Sequence, residues 1–146
     1  MSPGILLVLV GLGLFSVKFI KIGVHKLVMK TNEAITAFSQ SEKIKSAIIW
    51  ATQLTEVHLA LAEADKPGAE KIIKTLVSMI GNEITVAQKT APHNDWLEAE
   101  KDVNSAMVML NSGVAHESGY HLTQALSKVT NIGQQSMTQL IDEGLL

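Results

Sequence analysis

Cysteine is absent from the 146 residues. Its absence removes disulfides, thiolate metal sites, iron–sulfur clusters and cysteine nucleophiles together. Arginine is absent as well, since all twelve basic residues are lysines. The planar fork that contacts phosphate, guanine or carboxylate in bidentate fashion is therefore missing. Three prolines and ten glycines exclude collagen-like and proline-rich architectures. Also missing are G-x-S-x-G, P-loop, H-E-x-x-H and dinucleotide fingerprints, so the chain reads as a structural or binding protein rather than an enzyme.

What is present is apolar. Hydrophobic residues make up 47% of the chain and charged residues 18%, with a mean hydropathy of +0.23, which is too apolar and too weakly charged for a disordered polypeptide. The net charge of −2 conceals an asymmetry. Residues 1–30 carry Lys18, Lys21, Lys26 and Lys30 and no acid, whereas residues 31–146 set eight lysines against fourteen acids, a formal charge of −6. An acidic body repels a phosphate backbone, so nucleic acid is not an expected partner.

From Met1 to Val17 no side chain is charged, and Ile5–Phe15 reads ILLVLVGLGLF. Seventeen helical residues reach about 26 Å, slightly short of a hydrocarbon core of roughly 30 Å. Lys18, Lys21, His25 and Lys26 fall on one arc of the continuing helix, opposite Val17, Ile20, Val24, Leu27 and Val28, so the lysines can snorkel towards head groups. A cleaved signal peptide fits less well, because no cation precedes the apolar run and no A-x-A-like site follows it. The Gly11-Leu12-Gly13 pair reads as close helix packing. The expectation is a single-pass membrane anchor over residues 1–30, with membrane lipid as a partner. The positive-inside rule then puts the lysine collar and the body in the cytoplasm.

Over residues 31–146 apolar positions recur at helical spacing, and breakers fall at Asp65-Lys66-Pro67-Gly68, Ala91-Pro92-His93-Asn94 and Asn111-Ser112-Gly113. The fold class expected is all-α, an N-terminal membrane-anchoring helix followed by an antiparallel four-helix bundle. The bundle helices are expected near 31–64, 67–90, 95–111 and 115–143, the first and fourth longer than the second and third. Pro67 suits a first helical turn, Asp95 with Glu98 has capping-box spacing, and Gly113 suits a helix C′ position.

Wheel positions at 100° per residue place Ile44, Ala47, Ile48, Trp50, Ala51, Leu54, Val57, His58, Leu61 and Ala62 on the core arc of the first helix. On the second they place Ala69, Ile72, Ile73, Leu76, Met79, Ile80 and Ala87. Trp96, Ala99, Val103, Ala106, Met107 and Leu110 form the third stripe, and Leu122, Ala125, Leu126, Val129, Ile132, Met137 and Leu140 the fourth. Beyond the shorter helices, Ile35, Phe38, Met137, Leu140 and Ile141 would lie on a two-helix stalk, where they invite a second copy or another membrane-protein subunit.

The candidate chemistry is sparse. His58 sits mid-arc at a level near His116, Glu117 and His121, so that His58, His116 and His121 could ligate a divalent metal or haem. Their spacing departs from the Glu-x-x-His pairs of di-iron bundles, and core histidines with ordinary hydrogen bonds are the simpler reading. Glu83 falls among apolar residues, and His121 or the Trp50 indole would satisfy it. His93-Asn94-Asp95-Trp96 reads as a helix cap with an anchoring Trp, and Glu98, Glu100 and Asp102 as a solvated face. The leading expectation is a membrane-anchored accessory or scaffolding subunit of a membrane complex or homo-oligomer, and the alternative is a haem- or metal-binding bundle.

Overall fold

The computed structural model describes residues 28–146. The chain divides into residues 1–30 and residues 31–146, and the anchor expected over 1–30 lies, apart from its last three residues, outside the described residues. Among the described residues no helix is long and apolar enough to cross a membrane. Residues 31–146 form α1 (Thr31–Ala60), α2 (Lys66–Thr90), α3 (Asn94–Asn111) and α4 (Ala115–Asp142). With 30 and 28 residues, α1 and α4 are longer than α2 and α3, with 25 and 18.

The helices close a ring in which α1 packs on α2, α2 on α3, α3 on α4 and α4 back on α1, the last contact being the most extensive. Cross-helix bonds fix the directions. Lys43 on α1 reaches Glu83 on α2, Thr85 on α2 reaches Glu100 on α3, Asn131 on α4 reaches Asp95 on α3, and Thr31 reaches Glu143 just after α4. Each pair joins an early position on one helix to a late one on the other, so every neighbour is antiparallel.

The breakers act where expected. Pro67 lies in the first turn of α2, where a missing N–H leaves nothing unpaired. Gly113, at φ 76°, closes α3 with two reversed bonds, its own N–H to Leu110 O and that of Val114 to Met109 O. The cap of α3 differs from the capping box expected at Asp95. Here His93 is the N-cap, its Nδ1 accepting from Asp95 N–H at 3.1 Å, and this leaves the Asp95 carboxylate to accept from Asn131. The expected anchor is present: Trp96 is fully buried and donates its indole N–H to Ala91 O at 3.1 Å. α1 stops at Ala60 rather than 64, and Leu61 N–H bonds back to His58 O.

The core follows an alternation of three and four, broken only towards the end of α4. Buried positions are 34, 37, 41, 44, 48, 51, 55 and 58 on α1, then 73, 77, 80, 84 and 87 on α2, 96, 99, 103, 106 and 110 on α3, and 115, 118, 122, 125, 129, 132, 133, 136 and 140 on α4. A sustained repeat of 3.5 residues is that of knobs-into-holes packing, which keeps one seam buried only if the helices coil gently left-handed about each other. The arcs expected for α3 and α4 lie on this core, with Met107 and Leu126 half-buried and Met137 39% exposed at its margin. Those of α1 and α2 lie on it in part: Ile44, Ile48, Ala51, His58, Ile73, Ile80 and Ala87 are buried, whereas Trp50, Leu54, Val57, Ile72 and Met79 are exposed. The stalk is also more closed than expected, because Ala34, Ala37, Ser136 and Leu140 are buried between α1 and α4 there, leaving Ile35 and Ile141 exposed and Met137 partly so.

Small side chains are frequent on the core stripes of α1 and α4. Ala34, Ala37, Ser41, Ala51 and Thr55 on α1 and Ala115, Ser118, Ala125, Gly133 and Ser136 on α4 are all buried, interleaved with Ile44, Ile48, Leu122, Val129, Ile132 and Leu140. The buried hydroxyls cost little, since Ser41, Thr55, Ser118 and Ser136 each donate to a carbonyl of their own helix. At Gly133 an added Cβ would stand 2.6 Å from Ser41 Oγ and 3.4 Å from Ser41 Cβ. Gly133→Ala is therefore expected to lower stability by about 1 kcal/mol or more despite alanine's better helix propensity. Combined with Ser41→Ala, which removes the clashing oxygen, it should return stability to the parent value or above. Thermal unfolding of the two single variants and the double variant measures this; additive losses would contradict the close approach.

Candidate functional site

The three histidines singled out in the sequence have different surroundings. His58 occupies the last core position of α1, 6% exposed, and neither ring nitrogen has a hydrogen-bond partner. His116 is exposed at the start of α4, with Nε2 3.9 Å from Glu117. His121 is half-buried and meets the Tyr120 ring edge-on, with centroids 5.4 Å apart. Among the described residues no group of three or more His, Asp and Glu could hold a metal ion.

Glu83 is satisfied differently from expectation. It accepts from Lys43 Nζ at 2.6 Å across the α1–α2 interface. Neither His121 nor the Trp50 indole is its partner. The reason is register, which brings the lysine rather than an aromatic to the level of the acid. Of the acids on α3, Glu98 pairs with Lys101 along the helix, and Glu100 accepts from the Thr85 hydroxyl.

Above the Lys43–Glu83 pair runs the main apolar feature of the surface, a groove of about 370 Å³ between α1 and α2. Its lining is Lys43, Ile44, Ser46, Ala47 and Trp50 from α1 and Leu76, Met79, Ile80 and Glu83 from α2. Trp50 and Met79 stand 59% and 57% exposed on its walls, and the apolar strip continues past it through Leu54, Val57 and Ile72, the last 67% exposed. Large apolar side chains left in water at such density are characteristic of interaction surfaces. Two further grooves among the described residues are more polar. One between α3 and α4 is lined by Asp95, Ser127, Lys128, Thr130, Asn131 and Gln134, and one between α2 and α3 includes Ser78, Asn82, Thr85 and Asn104. In the first, the Asp95 carboxylate accepts from the Asn131 amide.

The turn that ends the strip carries its own ion pair, Lys66 with Glu63. The hydrogen bond from Lys66, then its charge, and to a smaller extent His58 hold the Glu63 carboxyl below the usual carboxylate range.

The sequence named most of these apolar residues but assigned them to the interior. The signal it missed is that α1 and α2 each carry two heptad stripes. Next to the buried stripe, Ala47, Trp50, Leu54 and Val57 on α1, with Leu61 just after it, repeat at the same three-four spacing, as do Ala69, Ile72, Leu76 and Met79 on α2. No known protein family, curated protein or solved structure matches this chain.

His58 offers a direct measurement. A buried imidazole without partners is a net cost, so His58→Leu is expected to stabilise the bundle by about 1 kcal/mol, or roughly 4 °C in Tm. A lower Tm, or loss of a metal or haem signal from protein purified from its own source, would show that the ring holds a ligand.

Proposed function

We propose that this chain is a single-pass membrane protein whose helical bundle is an assembly module, an accessory or scaffolding subunit of a larger membrane complex or homo-oligomer. The observation that carries the reading is the exposed apolar strip along α1 and α2. A bundle whose own core is already complete has no internal use for a solvent-facing tryptophan, isoleucine and methionine, and burying them against a partner gains about 25 cal/mol for each Å² of apolar surface. The membrane part rests on composition. A charge-free stretch from Met1 to Val17, followed by four lysines with no acid before Glu33, suits a hydrocarbon span with a cationic collar, and the collar puts the bundle on the cytoplasmic side.

The test is fractionation of the full chain from its own source. It is expected in the membrane pellet, resistant to alkaline carbonate and released by detergent, with the bundle digested by protease in inverted vesicles and protected in right-side-out ones. Recovery in the soluble fraction, or release by carbonate, would refute the anchor. Reversed protection would refute the orientation alone.

A further inference from the structure

The α1–α2 strip has the geometry of a helix-packing surface, and its own dimensions and charges indicate what covers it. Its spacing of three and four residues matches that of the buried core, so the complementary object is a helix pair with heptad knobs rather than a compact small molecule. The register set by Lys43–Glu83 brings Trp50 level with Leu76 and Leu54 level with Ile72.

We propose that a second copy of this chain seats on this strip, related by a two-fold axis running along the helices, so that α1 of one copy packs on α2 of the other. This deepens the assembly role proposed above and rests on it. Three features support it. First, the arrangement makes a second four-helix unit from α1, α2 and their counterparts in which every neighbour is antiparallel, as within the chain. Because the two copies stand at the same height, each apolar layer meets the same layer of its partner.

Second, the charges match. Lys43 and Glu83, partly exposed at one end of the strip, come opposite the partner's Glu83 and the partner's Lys43. The charged residues lining the groove, Lys43 and Glu83, cancel, so two bodies of −6 each meet there without a like-charge contact. Third, an axis along the helices leaves Thr31 of both copies at the same pole, as two chains entering one bilayer require. From Lys43 to Leu61 the strip is about 27 Å long and two helices, or roughly 20 Å, wide. A footprint near 500 Å² per copy, about 1,000 Å² in total, reaches the lower bound for a specific interface and indicates a modest affinity.

The test is the mass of the detergent-solubilised full chain by analytical ultracentrifugation, with circular dichroism melts as folding controls. The parent chain is expected to dimerise. Trp50→Glu, at an exposed position, should weaken dimerisation at least tenfold with helix content and Tm unchanged. Lys43→Glu alone and Glu83→Lys alone should each weaken self-association, whereas an equimolar mixture of the two should restore dimers, because opposite charges then meet across the axis. An antiparallel pairing would not be rescued by mixing, since Lys43 would face the turn at Glu63 instead.

A monomeric parent, or a dimer indifferent to Trp50→Glu, overturns the proposal. If the chain is monomeric yet remains in membranes, the second copy fails and the assembly reading stands with a different subunit. A dimer that depends on Trp50 but appears in the soluble fraction supports the strip and removes the membrane reading.

Discussion

The close approach of α1 and α4 is the constraint on which the other contacts depend. At Gly133 an added methyl group would run into the Ser41 side chain, and alanines and serines recur along both stripes between Ile44, Ile48, Val129 and Ile132. Dispersion between closely packed helices replaces the larger transfer energy that leucines would give, and the buried hydroxyls return their hydrogen bonds to their own helices. With α1 and α4 drawn together over most of their length, α2 and α3 complete the ring. Bulkier core residues such as Ile73, Val77, Ile80 and Ile84 on α2 and Trp96, Val103 and Leu110 on α3 then fill the space.

That division of labour explains why α1 presents two faces. Its core face has small and polar groups towards both ends, Ala34, Ala37, Ser41, Ala51, Thr55 and His58, with Ile44 and Ile48 supplying volume between them, while Trp50, Leu54 and Val57 lie one stripe away in solvent. The inner face of α1 is thus filled at its middle and narrow on either side, and a second apolar stripe is left outside the core.

The same feature sets how much was legible in the sequence. The helix count, the three turns, Pro67 and Gly113 follow from local rules of backbone conformation, which act without reference to the rest of the chain. The cores of α3 and α4 were legible because each has a single dominant stripe. On α1 the expected arc takes in Ile44, Ile48, Ala51 and His58, which are buried, together with Trp50, Leu54 and Val57, which are not, because an arc drawn at 3.6 residues per turn merges two stripes that a 3.5 repeat separates. Glu83 was misassigned for a related reason. Trp50 and His121 were expected at its level, whereas the packed helices bring Lys43 there, a register that only the folded bundle determines. The surroundings of His58 were illegible too, since a lone imidazole can be read only with its neighbours in place.

The bond between Thr31 and Glu143 brings the beginning of the first helix to the end of the last. The two ends of residues 31–143 therefore share one pole, while the α1–α2 and α3–α4 turns share the other. A short linker from Glu143 back to Thr31 would let this unit be reopened at either far turn with every helix pairing kept, so the order of its helices along the chain is not what holds the bundle together.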